Sequence, residues 1–512
     1  MATSTLERPL GTAAADRAFF GHPRGLSTLF FTEMWERFSY YGMRALLILF
    51  MTAPATTGGM ALDAATAGAI YGMYTALVYM MSVPGGWIAD RLIGQRRAVL
   101  IGGILIACGH FSMAVPTTTT FYLGLALIVL GTGLLKPNVS VMVGQLYGTH
   151  DLRRDAGFSI FYMGINIGAF FSPLVCGYLG QQINWHYGFA AAGVGMLAGL
   201  IQYLLGARAL GNAGLHPTAA TSPAALAALT RRTVLIMVAT LGGLGALGAG
   251  MATGALPVTM TLLADIFGYL LLVTTVVFFG WLFLSPGWTP EERGRLSVIV
   301  VFFVAAALFW SVFDQAGSTL NLFADRSTRT TLLGFEFPSS WFQSLNPIFI
   351  IMLAPLFAWF WVGLGRRDPA SPYKFSFALI GVGLGFAMLI PAARLAEAGG
   401  TVSPLWLTGT YLIHSIAELF LSPVGLSSMT RLAPARILSL TMGVWFLGAA
   451  VGNYVGGRIG GLYETLPLPS LLGRVGLFAM VCGALMLAFS PMLKRMMTGV
   501  PAWRRGPETL DR

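Results

Sequence analysis

Apolar runs long enough to cross a lipid bilayer recur along almost the whole of this 512-residue chain. Examples occupy residues 98–115, 121–143, 298–312 and 347–362, and they approach the roughly 20 residues that a membrane-spanning helix needs. Because lipid offers the backbone no hydrogen-bond partner, such runs must form helices or the strands of a closed barrel. Barrel strands alternate apolar and polar residues, whereas these runs are continuous. We therefore predict an all-α membrane protein.

The composition agrees with a lipid bilayer as the main partner. Only 10% of the residues are charged, whereas about a quarter are charged in soluble domains. The net charge is +11, but the basic residues lie in short loops between the apolar runs, where they indicate topology. We therefore predict no nucleic-acid partner.

Fourteen spans are predicted, in groups of six, two and six. The spans are 26–54, 65–89, 96–116, 119–147, 155–181, 186–208, 231–250, 256–285, 295–324, 341–364, 374–395, 404–431, 436–461 and 472–497. The resulting plan is a tail at 1–25, a six-helix bundle at 26–208, a linker with two accessory helices at 209–294, a second bundle at 295–497 and a tail at 498–512.

The distribution of lysine and arginine predicts the orientation. One alternating set of loops, together with the termini, holds 23 of these residues, and the opposite set holds 5. Cytoplasmic loops are the ones that retain positive charge. We therefore predict a multi-pass protein of the cell inner membrane with both termini in the cytoplasm. The remaining three basic residues, Arg37, Arg44 and Lys136, lie inside spans.

Charged residues inside the spans are the strongest indication of function. Each one costs at least ~2.5 kcal/mol at the bilayer centre, so it must face a partner or a water-filled cavity. An isolated pair could equally hold two helices together. The charged set is Glu33, Glu36, Arg37, Arg44, Lys136, Asp265, Asp314 and Glu418.

Half of this set lies in the first span. Residues 33, 37, 40, 41 and 44 follow the spacing of one helical face, which carries Glu33, Arg37, Tyr40, Tyr41 and Arg44. Glu33 precedes Arg37 by four residues, the favourable order for a helical ion pair, and Glu36 adds a second carboxylate. Since one arginine serves two acids, protonating either acid would release the arginine to another anion. This arrangement predicts a proton-coupling device.

Two loops resemble each other and a known superfamily. The loop after the second span reads GGWIADRLIGQRR at residues 85–97, and the corresponding loop of the second bundle reads GLGRRD at residues 363–368. The first loop resembles the loop motif of the major facilitator superfamily, whose fold consists of two parallel six-helix repeats. The resemblance implies that fold, with two accessory helices added.

Longer motifs resemble the proton-coupled oligopeptide transporters within that superfamily. The matching strings are EMWERFSYYGMR at 33–44, DLRRDAGFSIFYMGINIGA at 151–169, GTGLLKPNVS at 131–140, FWSVFDQAGS at 309–318, WFQSLNP at 341–347, ELFLSPVG at 418–425 and WF at 445–446. The resemblance implies a monomeric secondary transporter, not an enzyme. It would import dipeptides and tripeptides with protons by alternating access, without any cofactor beyond the coupling proton.

The same resemblance implies roles for single residues. Arg37 and Lys136 would bind the peptide carboxylate, while Glu418, helped by Asn166 and Asn346, would bind the amino terminus. The aromatic residues implied to line the binding site are Tyr40, Tyr41, Tyr79, Trp310 and Trp445.

Proton coupling and gating are implied for the remaining charges. The proton-coupling acids would be Glu33, Glu36, Asp314 and Glu418. Lys136 would pair with Glu418 at the cytoplasmic gate, and Arg44 with Asp314 at the outer gate. All charged span residues except Asp265 fall on helices that line the cavity in this superfamily, so Asp265 is predicted to be a contact between helices.

This sequence departs from the family at two points. Asp314 stands where many relatives carry glutamate, so we expect a shorter reach towards Arg44 and a weaker pair. The second span also lacks the histidine that animal relatives use for protons, so coupling would rest on carboxylates.

Two other functions deserve comparison. A multidrug or other anion carrier on the same fold would satisfy the loop motif, but the charge cluster of the first span disfavours it. A membrane enzyme such as an acyl or glycan transferase would need a metal-ligand cluster, a nucleotide-binding loop or a nucleophile triad, and the sequence offers none of them.

Overall fold

Helices account for nearly all of the computed structural model, which describes residues 16–148, 151–217, 223–332, 334–434 and 437–497. Their bounds in chain order are α1 (Arg24–Thr52), α2 (Ala64–Met80), α3 (Ser82–Ile88), α4 (Gln95–Met113), α5 (Thr118–Gln145), α6 (Arg154–Tyr178), α7 (Trp185–Gly206), α8 (Pro223–Ala252), α9 (Met260–Leu284), α10 (Pro290–Phe313), α11 (Thr319–Ser327), α12 (Leu345–Leu364), α13 (Ser371–Glu397), α14 (Leu405–Leu432), α15 (Leu438–Gly460) and α16 (Leu468–Met496).

The fourteen predicted spans are confirmed, with α2 and α3 together forming the second one. Eleven helical segments of the described chain are apolar and long enough to cross a membrane by length and composition. The segment α1 is not among them, because four charged residues interrupt its apolar sequence. The charge cluster that suggested function therefore also weakens the usual hydropathy signal of the helix that carries it.

The ninth predicted span, 295–324, is not one continuous helix. The helix α10 ends at Phe313 and is followed by a 3-10 turn, Asp314–Gly317, before α11 begins at Thr319. Ser318 has φ −126° and ψ −89°, values outside the α-helical region. Asp314 consequently lies at a break between two helices.

Polar caps explain where several helices begin. The side chain of Thr289 accepts a hydrogen bond from the Glu292 amide, the Glu292 carboxylate accepts one from the Thr289 amide, and Pro290 occupies the first turn of α10. This reciprocal arrangement satisfies two amides that the helix itself leaves without partners. Thr117 caps α5 and Thr259 caps α9 through their hydroxyl oxygens.

A two-stranded hairpin is the one strand pairing found in the described chain. Its strands are β1 (Thr331–Leu332) and β2 (Phe335–Glu336), which are antiparallel. The hairpin lies between α11 and the 3-10 turn that leads into α12. It does not change the assignment to the all-α class.

The described residues form two compact units. The first contains the residues up to Met43 together with Met81–Cys176 and His186–Leu256, and the second contains Arg44–Met80, Gly177–Trp185 and those from Pro257 onward. The boundary thus falls inside α1. The predicted bundles at 26–208 and 295–497 remain a prediction, and the predicted tail 498–512 and residues 1–15 lie outside the described part.

In the first unit, close packing holds the charged part of α1. Gly168 of α6 lies against the backbone of Met34, and Gly195 of α7 lies against the ring of Phe38, at separations that leave no room for a side-chain carbon. Small residues allow helix backbones to approach closely in membranes. These contacts fix the rotation of α1 and hence the direction of its charged face.

Candidate functional site

Arg37 is buried between two carboxylates in the first unit. Its Nε atom lies 3.2 Å from Glu33 Oε1 and donates a hydrogen bond to Glu36 Oε2. The side chains of Arg37, Glu33 and Glu36 are at most 4% exposed. Both acids that the sequence associates with this arginine therefore contact it through the same nitrogen.

Each member of this trio keeps one buried polar atom without a partner. Glu33 Oε2, Glu36 Oε1 and Arg37 Nη2 have no hydrogen bond to any residue that the structure describes. A buried donor or acceptor without a partner is costly. The trio also carries one more negative than positive charge when all three groups are ionised. It can therefore accept a proton on a carboxylate, an anion on the guanidinium, or both.

Cations and aromatic rings surround the trio. The guanidinium carbon of Arg37 lies 5.1 Å from the ring centre of Tyr40 and 5.9 Å from that of Tyr41, within the range of a cation–π interaction. Lys136 of α5 interacts electrostatically with Glu33. Six of the predicted residues in the first unit, Glu33, Glu36, Arg37, Tyr40, Tyr41 and Lys136, are thereby brought to one site.

A separate acidic site lies in the second unit. Asn346, at the start of α12, donates hydrogen bonds of 3.0 Å to Glu418 Oε2 and to Ser415 Oγ of α14. The amide therefore orients the carboxylate and links α12 to α14. Asn346 and Glu418, which were both predicted to bind the peptide amino terminus, therefore lie together.

The third cluster joins α1, α2 and the turn after α10. Arg44 donates to Asp314 Oδ1 and, at 3.3 Å, to the Asp314 carbonyl oxygen. Its Nε atom donates to the Tyr71 hydroxyl oxygen at 2.7 Å. The expected pair thus forms, and the shorter aspartate does reach Arg44. The gating role of the pair remains a prediction.

The sequence analysis assigned no role to several residues of this third cluster. Tyr71 lies fully buried beside Arg44, and Gly317 lies against the Tyr71 hydroxyl without space for a side chain. The carbonyl oxygen of Ala316 in the same turn accepts hydrogen bonds from Gln343 and from Tyr411, the latter at 3.4 Å. The helix α2 contains no charged residue, so the sequence gives no signal that Tyr71 bonds a charged side chain.

The other residues that were predicted to bind peptide have surroundings that differ from one residue to the next. Asn166 donates to the Tyr162 carbonyl oxygen on its own helix α6. The ring of Trp310 packs edge-on against Phe309, and the ring of Trp445 lies on Gly425. Tyr79 is half-buried in α2. Peptide contact by these residues, and the latch between Lys136 and Glu418, remain predictions.

Asp265 makes a contact between helices. It lies 3.0 Å from Arg458, in the last turn of α15, so the accessory helix α9 contacts a helix of the second predicted bundle. Arg458 was counted among loop residues, but it lies inside α15.

Outside the spans, Glu464 joins two elements of the second unit. It accepts a hydrogen bond of 2.9 Å from the Ala64 amide at the start of α2 and pairs with Arg326 at 2.6 Å. Burial tends to raise the pKa of this carboxyl, but the Ala64 amide and the Arg326 guanidinium outweigh it and leave the pKa below its ordinary value.

No group of three or more His, Cys, Asp or Glu side chains with metal-binding geometry occurs within the described ranges. The buried charges instead form three polar clusters that can exchange protons and bind charged groups.

Comparison with known proteins gives a consistent result. Residues 96–469 match the model of a protein family described as the POT family. The peptide transporter YePEPT of Yersinia enterocolitica subsp. palearctica serotype O:3 (strain YE-P4) is 41% identical over 496 residues, covering 94% of this chain and 96% of the relative. A di-/tripeptide transporter of Lactococcus lactis subsp. cremoris is 36% identical over 491 residues, covering 94% and 98%.

A solved structure is similar over the same extent. A crystal structure of a peptide transporter POT in complex with sulfate matches with a TM-score of 0.89 and 44% sequence identity, covering 95% of this chain and 99% of the other.

Proposed function

This chain belongs to the POT family of membrane transporters, and we propose that it imports dipeptides and tripeptides together with protons by alternating access. Transport, rather than an enzymatic reaction, is what its family carries out. The relatives named above are peptide transporters and a di-/tripeptide transporter, which supports the same substrate class for this chain.

The single observation that carries the proposal is the Glu33–Glu36–Arg37 trio. Two buried acids share one guanidinium nitrogen, while Arg37 Nη2 has no partner in the described chain. A peptide carboxylate bonded to that nitrogen would satisfy a buried donor, and charge-assisted bonds of this kind are the strong ones. The sulfate bound by the relative of known structure is consistent with an anion-binding region in this family.

The charge balance of the trio supports the proposed proton coupling. A peptide carboxylate would add another negative charge beside two acids in a region of low dielectric. Protonating Glu33 or Glu36 removes one of those charges, so it favours anion binding at Arg37. Binding of the proton and binding of the peptide therefore assist each other, and by linkage the effect is reciprocal.

The amino terminus of the peptide has a suitable acceptor at Glu418. Asn346 occupies Oε2 of that carboxylate at 3.0 Å, which fixes its orientation. An ammonium group has three donors and no acceptor, so an oriented carboxylate is the matching partner. A cation and an acid for the two termini, without a polar pocket for each side chain, suit substrates of varied sequence.

Alternating access would use the Arg44–Asp314 pair as the outer gate. A ligand can shift a conformational equilibrium only by binding one state better than the other. Protonation of Asp314 from outside would weaken its bond to Arg44 and favour the state that is open outward. Reformation of the pair would then accompany closure of the outer side.

Uptake by proteoliposomes tests the proposal. With an inward proton gradient they should accumulate labelled dialanine above its external concentration, unlabelled dipeptides and tripeptides should compete, and free alanine should not. A protonophore should reduce uptake to the level of empty liposomes. Accumulation of an unrelated organic anion, with no effect of dipeptides, would instead support an anion carrier.

A further inference from the structure

The helices α2 and α15 touch backbone to backbone along a line of glycines, which we call the outer seam: Gly68 and Gly72 of α2 with Gly457 of α15 and Gly461, the residue that caps its end. A side-chain carbon on Gly68 would overlap the Gly457 carbonyl and the Gly461 amide, and one on Gly72 would lie 2.8 Å from the Tyr454 carbonyl. Both pairs have the spacing of four residues that permits close helix contact.

The outer seam lies beside the Arg44 cluster. Tyr71, the partner of Arg44, immediately precedes Gly72, and Gly460 of α15 packs against Ser318 in the break after α10. The loop charges predict that these ends of α2 and α15 are the outer ends. In the alternating access proposed above, opening of the outer side would separate α2 from α15, and the Arg44–Asp314 pair would separate with them.

The accessory helix α9 contacts both helices of the outer seam. It packs along α2, and it is fastened to α15 at two points. Asp265 lies 3.0 Å from Arg458, and the Tyr454 hydroxyl donates a 3.0 Å hydrogen bond to the Ala264 carbonyl oxygen. Gly268 lies directly under the Tyr454 ring, where no side chain would fit.

The geometry of α15 connects these fastenings to the outer seam. Tyr454 and Arg458 are four residues apart and face α9, whereas Gly457 and Gly461 are four residues apart and face α2. Arg458 directly follows Gly457. A displacement or rotation of α15 that breaks the Asp265 contact therefore also moves the glycines.

The surroundings of the Asp265–Arg458 pair strengthen the contact between α9 and α15. Asp265 and Arg458 are 43% and 39% exposed, on a surface that would face lipid. A charged side chain there is costly without a partner. Separating the two residues would leave both charges against lipid or headgroups, so the pair favours the arrangement in which α9 and α15 stay together.

We propose that Asp265 and Arg458 are positioning residues that make α9 a clamp across the outer seam, biasing the transporter towards the state closed to the outside. The proposal rests on the alternating access proposed above. Because α9 packs on both α2 and α15 when the outer seam is closed, it loses part of its contact when α2 leaves. Loss of the clamp would therefore stabilise the outward-open state relative to the closed one.

A reporter cysteine measures the state of the outer seam directly. Ser318 is fully buried and lies against Gly460, so Ser318→Cys introduces a thiol of similar size that becomes accessible on opening. Its labelling from outside by a membrane-impermeant maleimide is compared with the parent protein, which retains Cys108, Cys176 and Cys482. Labelling requires no substrate, so the result is independent of whether the chain transports peptides.

The clamp predicts faster labelling when the pair is broken. Asp265→Asn and Arg458→Gln should each raise the labelling rate by about five-fold or more, the usual lower range of coupling between sites. The exchanged pair Asp265→Arg with Arg458→Asp should return the rate towards that of the parent. Gly280→Ala is the matched control on α9, because a side-chain carbon there meets nothing.

Transport kinetics distinguish a clamp from a general loss of packing. A larger outward-open population should lower the KM for external substrate, since apparent affinity rises with the binding-competent fraction, while kcat falls because closure becomes less favourable. A purely structural defect would lower the amount of active protein without lowering KM. If Asp265→Asn fails to fold, Tyr454→Phe removes only the bond to Ala264 and should act in the same direction. Labelling rates and KM equal to those of the parent in the folded variants would overturn the proposal.

Discussion

Arg44 of α1 and Asp314, the first residue after α10, form an ion pair with both side chains nine-tenths buried. They are 270 residues apart in sequence, and the Tyr71 hydroxyl bonds the same arginine from α2. Three separate segments are thus held by one guanidinium. Removal of either charge should affect both the stability and the conformational equilibrium of the outer side.

We expect Asp314→Asn to destabilise the protein and to reduce gradient-driven uptake. The variant leaves the Arg44 charge buried without its acid, and breaking a buried pair from one side typically costs about 3–5 kcal/mol. Thermal unfolding in detergent and dialanine uptake measure the two effects.

The control for this variant is a double-mutant cycle. Arg44→Gln combined with Asp314→Asn should be less damaging than the sum of the two single changes, because the double variant leaves no unpaired charge. Asp314→Glu, which keeps the acid, should retain the pair and most of the uptake. Additive single effects would show that the two residues act independently.

We expect Arg37→Ala to weaken both gradient-driven uptake and counterflow, because the residue is proposed to bind the substrate itself. Arg37→Lys should restore little, since a compact ammonium cannot reproduce the planar set of donors that contacts Glu33, Glu36 and an anion together. Arg232→Lys, at an exposed site on α8, is the control and should behave as the parent. Full activity of Arg37→Lys would mean that only the charge matters.

Much of the fold was predictable from hydrophobic length. The apolar runs and the Lys and Arg bias of the loops are strong signals because the bilayer imposes them on every span. The charged face of α1 was predictable for the same reason, since charges are rare in spans. The prediction failed at Asp314, where apolar residues continue beyond the helix end, and hydropathy cannot distinguish α10 from the turn that follows it.

The packing between helices was much harder to predict. The outer seam has a sequence signal, the four-residue spacing of Gly68 and Gly72 in α2, but it became meaningful only with the matching pair in α15. The bond from Tyr71 to Arg44 and the pair of Asp265 with Arg458 depend on how distant helices pack. A single sequence shows that a charge inside a span is costly, but it does not show which residue pairs with that charge.

Recognition of the peptide amino terminus should depend on Glu418. We expect N-acetyl-dialanine to compete poorly with labelled dialanine, because acetylation removes the charge that the carboxylate attracts. Glu418→Gln should reduce this discrimination, and Asn346→Ala should raise the KM by freeing the carboxylate from its oriented position. Competition curves for both peptides give the result. Equal inhibition by the two peptides in the unmodified protein would argue against amine recognition.

Acid should weaken the contact between Glu464 and its partners. Its folded-state pKa is lowered from the ordinary 4.5, so its stabilising contribution is present above about pH 4.5 and is lost as the pH falls through the folded-state pKa. The effect should be modest, because the side chain is more than one-third exposed and solvent screens the charge. Between pH 6 and pH 3 the thermal unfolding temperature should fall less steeply for Glu464→Gln than for the parent. Parallel curves would exclude a stabilising contribution of Glu464.

Proton coupling by the Glu33–Glu36–Arg37 trio is tested most directly by comparing two transport modes of Glu36→Gln in the same proteoliposomes. Gradient-driven accumulation requires net proton movement, whereas counterflow exchange of labelled for unlabelled dialanine does not. We predict that Glu36→Gln abolishes accumulation while counterflow remains measurable, and that Glu336→Gln, an exposed matched control in β2, retains both modes. Normal gradient-driven accumulation by Glu36→Gln would contradict the proposed coupling.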